Sequence, residues 1–194
     1  ALPDVIEHRG MTCLDVLEEF LFEPTDVGDR NGVQMTLGTE EDRHDLFLDG
    51  RDLDYRGPPL GYWKIPDQFS LARFEQLHPA GPATPPRFLF FPTITSHLPF
   101  GPVPPVQDDW DRLLTPDPYG EAETKRLRSA YVDWLDMRPN YIGMFDYTYR
   151  WLGGYLRRPE PRESVMLWVG DHQPAASVSG EGASWEVPVH VITR

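Results

Sequence analysis

Asp171 and His172 are neighbouring residues whose side chains are suited to bind a divalent metal. They follow the apolar run 165–169 and a glycine, in the stretch LWVGDHQPAA (167–176). A carboxylate beside an imidazole is a donor set that suits Zn or Mn. The same pair is also common on protein surfaces, so the rest of the sequence must decide between metal ligands and two solvated side chains.

A second polar cluster, Thr95-Ser96-His97, follows another apolar run at 88–91. In open α/β sheets, ligands bind beyond the carboxyl ends of the strands. A right-handed crossover between two parallel strands makes both ends point to the same edge of the sheet. We therefore expect His97 to share one crevice with Asp171 and His172.

The elements that would position these residues can be predicted from apolar periodicity. Helices are predicted at 66–78, 120–136 and 140–157, and each has an apolar stripe at a spacing near 3.6 residues. In the second helix, the predicted stripe consists of Leu127, Tyr131, Trp134 and Leu135.

Strands are predicted at 88–91 and 164–169, both buried on two faces, and at 185–193, where Pro188 favours a sheet edge. Residues 24–45 are predicted to be loop, and 11–22 fit either a helix or a buried strand. Together these elements predict an α/β fold with a mainly parallel sheet flanked by helices.

Length and charge narrow the class of protein. The chain has 194 residues, which suits one domain, and its formal net charge of -13 argues against a nucleic-acid partner. The single cysteine, Cys13, excludes an internal disulfide. No apolar run is long enough to span a bilayer. We therefore expect a soluble chain, with any membrane association coming from an anchor in a longer precursor and absent from this chain.

Three stretches in this order resemble a known family: FLFFPTITSHLPF (88–100), NYIGMFDYTYRWLGGYL (140–156) and VMLWVGDHQP (165–174). They resemble the sulfatase-like part of the alkaline phosphatase superfamily, nearest to the lipoteichoic acid synthase and phosphoglycerol transferase type. The resemblance is strongest over 45–194 and weak over 1–44. It implies a single sulfatase-like domain, 1–194, with an alkaline-phosphatase-like fold that is incomplete or shortened.

The resemblance also implies roles for individual residues. Asp171 and His172 match the family's metal ligands, and His97 matches the histidine that contacts the phosphate or sulfate group of the substrate. Glu19, in VLEEFLFEPT (16–25), matches a further metal ligand. The implied cofactor is a divalent metal, Zn or Mn, with Mg or Ca as alternatives.

The family's hydroxyl nucleophile has no clear counterpart in this chain. Only about 25 residues separate the Glu19 segment from GRDLDYRG (50–57), which matches a later part of the family domain. Thr25 and Thr36 are the formal candidates, so the nucleophile stays unknown.

Three functions follow as hypotheses. The first is a metal-dependent hydrolase or transferase that acts on phosphate, phosphodiester or sulfate esters at the periplasmic or extracellular face of a bacterial membrane. Its partner would be an anionic ester substrate. The second is a non-catalytic relic or fragment of this fold that binds a metal or an anionic ligand. The third is an unrelated soluble α/β binding module.

Overall fold

The structure is a computed structural model, and it describes residues 33–37, 44–60, 64–84 and 87–194. These residues belong to the unit Asn31–Arg194, one of two into which the chain divides. Glu19 and Thr25, both singled out from the sequence, lie outside the described residues, as does the segment 11–22.

Helices and strands are mixed along the chain. The order is β1 (Val33–Leu37), β2 (His44–Leu48), α1 (Asp67–Leu77), β3 (Arg87–Phe90), α2 (Trp110–Leu113), α3 (Glu121–Ser129), α4 (Arg138–Leu156), β4 (Val165–Val169), α5 (Ala176–Ser179) and β5 (Val189–Thr193). Among the helices described, none is long and apolar enough to cross a membrane.

The strands form two small sheets, and every pair described is antiparallel. One sheet has the order β2-β1-β3 and the other consists of β4 and β5. The mainly parallel sheet that the sequence predicts is therefore not seen among the described strands. One reason lies in 24–45, predicted as loop, where β1 forms and pairs with both β2 and β3. A second reason is that β4 pairs with β5, the next strand along the chain, which runs in the opposite direction. The Gly170 N–H donates to the Pro188 carbonyl at 3.0 Å and extends this antiparallel ladder.

The strand predicted at 164–169 forms, but only one of its faces is covered. Met166 and Trp168 pack against the main core, whereas the side chain of Leu167 is 63% exposed. The exposed face is aliphatic, and its members are Val165, Leu167, Val169, Val189 and Val191. An apolar run by itself does not show whether a strand is covered on one face or on both. Among the described residues, β4 is covered on one face only.

The core lies between α1, α4 and the inner sheet faces. Helix α4 buries Met144, Tyr147, Thr148, Trp151 and Leu152 along one side, as a period near 3.6 predicts. Trp151 is 1% exposed, and its ring meets Phe91 and Trp168 edge-on at centroid distances of 6.4 and 5.8 Å. Edge-to-face pairs of this kind add about 1 kcal/mol each to the burial of the rings.

The helix predicted at 120–136 ends early, at Ser129. Leu127 is buried as expected, but Tyr131, Trp134 and Leu135 are exposed and belong to no helical stripe. The cause is local: the Asp133 carboxylate accepts the Leu135 N–H at 2.8 Å and stabilises a turn. Aspartate side chains compete with helical hydrogen bonds in this way.

Candidate functional site

His97 lies in a tight double turn that follows β3. Its backbone N–H donates to the Ile94 carbonyl at 2.9 Å, and its own carbonyl accepts from the Phe100 N–H at 3.0 Å. The imidazole is exposed, and Nδ1 lies 2.9 Å from the Leu98 carbonyl oxygen. Because a carbonyl oxygen can only accept, Nδ1 carries a proton in this arrangement.

The backbone of this turn is held by Asp67, the first residue of α1. The Asp67 carboxylate accepts the N–H groups of Ile94 and Thr95 at 2.9 and 3.0 Å, and the Asp67 N–H donates to Thr95 Oγ1 at 3.1 Å. Burial raises the pKa of the Asp67 carboxyl to about 6, and the hydrogen bonds from Ile94 and Thr95 only partly oppose this. Sequence analysis missed the role of Asp67, since an acid after a proline indicates an ordinary helix start.

Asp171 and His172 follow β4, and their arrangement suits a metal. The Asp171 carboxylate accepts the His172 N–H at 2.9 Å, and Asp171 Oδ2 lies 3.5 Å from His172 Nε2. His172 Nδ1 lies 2.8 Å from the Gln173 carbonyl oxygen. Nδ1 therefore carries a proton, so in a neutral ring Nε2 would be the atom left to bind a metal, and it lies on the side of Asp171.

The distance between these two atoms fits one metal ion. Two ligand atoms at about 2.1 Å from a tetrahedral metal lie roughly 3.4 Å apart. Asp171 Oδ2 and His172 Nε2, at 3.5 Å, fit two corners of that arrangement. Both side chains are exposed, and the described part of the chain contains no group of three or more His, Cys, Asp or Glu side chains that would complete a site.

Residues that follow β3 and β4 meet at a small second hydrophobic cluster. Its buried members are Phe100, Met137 and Met144, and Val103, Tyr141 and Val178 pack against them. Phe100 lies three residues after His97, and Val178 lies six residues after His172. The cluster thus joins the turn that carries His97 to the segment that follows Asp171 and His172.

Tyr141 on α4 interacts both with the turn that carries His97 and with Asp171. Its ring meets that of Phe100 at a centroid distance of 5.1 Å. Burial raises the pKa of the Tyr141 hydroxyl, and the negative charge of Asp171 raises it further. The hydroxyl therefore lies within electrostatic reach of the Asp171 carboxylate. Nothing in the sequence marks Tyr141 as a neighbour of Asp171.

The structure says less about the other residues singled out from the sequence, which are Thr36, Glu19 and Thr25. Thr36 lies in β1, opposite Asp45 on one side and Phe88 on the other. Glu19 and Thr25 lie outside the described residues, so the structure does not test them. The nucleophile therefore stays unassigned.

Comparisons of the chain with protein-family models, with curated proteins and with solved structures gave no match. The resemblance to the sulfatase-like family therefore stays a prediction from the three stretches that carry it. The chemistry of the site has to be argued from its own geometry.

Proposed function

We propose that this protein is a metal-dependent hydrolase or transferase that acts on phosphate, phosphodiester or sulfate esters. The observation that carries the proposal is the pair formed by Asp171 Oδ2 and His172 Nε2, 3.5 Å apart. The Gln173 carbonyl holds the His172 ring by Nδ1, which leaves Nε2 as the nitrogen available to a metal in the neutral ring. Two solvated surface side chains would need neither this spacing nor a ring held by a backbone carbonyl.

Asp171 and His172 would hold the metal, with the remaining coordination positions left for other groups. When bound, the metal would polarise the ester and lower the pKa of a hydroxyl or water nucleophile. Asp171 supplies the negative charge of the pair. The neutral imidazole of His172 adds a second donor without adding charge.

His97 would contact the anionic group of the substrate. With Nδ1–H donated to the Leu98 carbonyl, Nε2 is the ring nitrogen left to meet an oxygen of the transferred group, and it would donate a hydrogen bond there once the ring carries a second proton. Tyr141 would flank Asp171 from α4. Its neutral hydroxyl can donate a hydrogen bond to the carboxylate or to the ester, because its raised pKa keeps the proton in place at neutral pH.

The charge of the protein supports a metal-dependent mode of binding. A chain of net charge -13 repels an anionic ester at long range. A bound divalent cation inverts the local field and makes the site attractive to an anion. Localisation at the outer face of a bacterial membrane is also part of the proposal, and only the family resemblance supports it.

A second candidate is a non-catalytic relic of the same fold that binds a metal or an anion. The observation in its favour is that the described residues offer two clustered ligands and no larger group of them. The first candidate, and the second in its metal-binding form, require Asp171 and His172 to bind metal. They differ in whether a nucleophile completes the site.

Calorimetric titration with Zn²⁺ and with Mn²⁺ tests what both candidates share. We expect weak binding by the wild-type protein, readily reversed by a chelator, because two identified ligands fall short of the four of a closed zinc site. Asp171→Asn and His172→Ala should each weaken binding at least about tenfold, the effect usual for losing part of a metal site.

Two variants serve as controls. Asp133→Asn changes an exposed acid in the turn that follows α3, and His190→Ala changes an exposed histidine in β5. Both should bind metal as the wild type does. Equal affinity of Asp171→Asn and the wild type would show that Asp171 is not a ligand, and the proposed function would fail with it.

A further inference from the structure

Asp67 is a buried carboxylate, 1% exposed, and its bonds reach across the fold to the turn after β3. It accepts two consecutive backbone N–H groups, those of Ile94 and Thr95, which are 27 and 28 residues away in sequence. Its own N–H is bonded in return by Thr95 Oγ1. The beginning of α1 and the turn are therefore joined by three hydrogen bonds.

The same turn carries His97. The Ile94 residue whose N–H is held by Asp67 also accepts the His97 N–H through its carbonyl, and the His97 carbonyl accepts from Phe100. A continuous path of hydrogen bonds thus runs from the carboxylate to the backbone of His97. Losing the first bonds of this path would release the segment that determines where the imidazole lies.

We propose that Asp67 is the positioning residue of the His97 turn: its buried carboxylate fixes the backbone at Ile94 and Thr95, and this determines where the His97 imidazole lies. The inference rests on the proposed function in one respect only, the contact of His97 with the substrate anion. Asp67 itself touches neither metal nor substrate. A purely structural carboxylate would stabilise the whole fold evenly, whereas a positioning carboxylate acts first on the turn.

The experiment is amide hydrogen exchange measured by NMR on Asp67→Asn, on Thr95→Val and on the matched control Thr95→Ser. Serine keeps the hydroxyl that accepts the Asp67 N–H, and valine has nearly the shape of threonine without it. We expect exchange at Ile94, residue 95 and His97 to accelerate at least roughly tenfold in the first two variants, since local opening becomes easier. Thr95→Ser should stay close to the wild type.

Two further readouts separate a local from a global effect. The amides of Trp151 and Leu152 in α4 should keep exchange rates within roughly twofold of the wild type, because they report opening of the core. The ring signals of His97 should shift in Asp67→Asn and in Thr95→Val. Equal acceleration in α4 and in the turn would overturn the proposal, as would unchanged exchange at Ile94 and residue 95 or unchanged His97 signals.

Sulfate binding in the presence of Zn²⁺ links the turn to the proposed function. Wild-type protein titrated with inorganic sulfate should show a shift of the His97 ring signals that His97→Ala abolishes, and Asp67→Asn should bind sulfate about tenfold more weakly. If the wild type does not bind sulfate, the proposed function is rejected, while exchange rates and ring signals still decide the role of Asp67. If Asp67→Asn does not fold, the pair Thr95→Val and Thr95→Ser decides it.

Discussion

The side chain of Gln68 bonds both backbone groups of Gln107. Nε2 donates to the Gln107 carbonyl at 2.7 Å, and Oε1 accepts the Gln107 N–H at 3.0 Å. Gln68 is 1% exposed and follows Asp67, which holds the turn after β3. The first two residues of α1 therefore hold two points of the single connection between β3 and α2, and Phe100 and Val103 of the second cluster lie between these points.

We expect Gln68→Ala to lower the free energy of unfolding by about 3 kcal/mol, since it leaves two backbone groups of Gln107 without their partners and opens a cavity. Urea unfolding followed by circular dichroism measures this. Gln76→Ala is the matched control, because Gln76 is an exposed glutamine of the same helix. Its cost should stay within about 0.5 kcal/mol. Equal costs at the two positions would contradict the double bond to Gln107.

Asp67 predicts a specific dependence of stability on pH. Its pKa rises from 3.8 to about 6 in the folded protein, so between these values the folded state holds a proton that the unfolded state releases. Asp67 therefore favours folding most below pH 3.8. That contribution declines as the pH rises towards 6 and is constant above, and the shift corresponds to about 3 kcal/mol.

The test is the difference in unfolding free energy between the wild type and Asp67→Asn, measured from pH 4 to pH 8. This difference should change in favour of the variant as the pH rises to about 6, and it should stay level from there to pH 8. Tyr147, buried beside Asp67, has its pKa raised by burial and by the charge of Asp67, so it stays neutral throughout. A difference that is the same at pH 4 and pH 7 would contradict the raised pKa.

The two candidate functions differ in ester hydrolysis: the hydrolase predicts turnover that depends on Asp171, whereas the relic predicts little or none, since no Ser, Thr or Cys has been assigned as nucleophile. A metal-bound water still permits a trace rate. The assay uses p-nitrophenyl phosphate, bis-p-nitrophenyl phosphate and p-nitrophenyl sulfate with added Mn²⁺ or Zn²⁺, on the wild type and on Asp171→Asn. Robust turnover that Asp171→Asn abolishes would mean that a nucleophile exists, and Thr25 and Thr36 would be the first residues to replace.

The two faces of β4 should respond differently to truncation. Trp168→Ala should cost about 2 to 3 kcal/mol, since it removes the edge-on contact with Trp151 and part of the main core. Leu167→Ala should cost less than about 1 kcal/mol, because this side chain is 63% exposed. Thermal unfolding of both variants gives the comparison. A larger loss for Leu167→Ala would mean that the exposed face is covered in solution.

The helices with strong apolar periodicity could be predicted well. The predictions 66–78 and 140–157 correspond to α1 and α4. In α4 the burial follows a period near 3.6, whereas the first six residues of α1 are all buried, so its predicted apolar stripe is not what the structure shows. The prediction 120–136 was too long, since the turn made by Asp133 depends on a side-chain bond that periodicity does not report. Strand β1 was missed, because VQMTL is a short stretch whose pairing with β2 and β3 decides its conformation.

The sequence by itself determined the mixed class of helix and strand, the apolar side of α4 and the position of Asp171 and His172 just after a strand, all of which depend on residue type and local spacing. The tertiary structure alone decided three other features. It made the described strand pairs antiparallel, it left one face of β4 exposed, and it placed Asp67 and Tyr141 beside the two polar strand ends. These features depend on which distant segments of the chain come into contact. A hydrogen bond between residues 28 positions apart, or an electrostatic interaction between two elements, leaves no periodic pattern in the sequence.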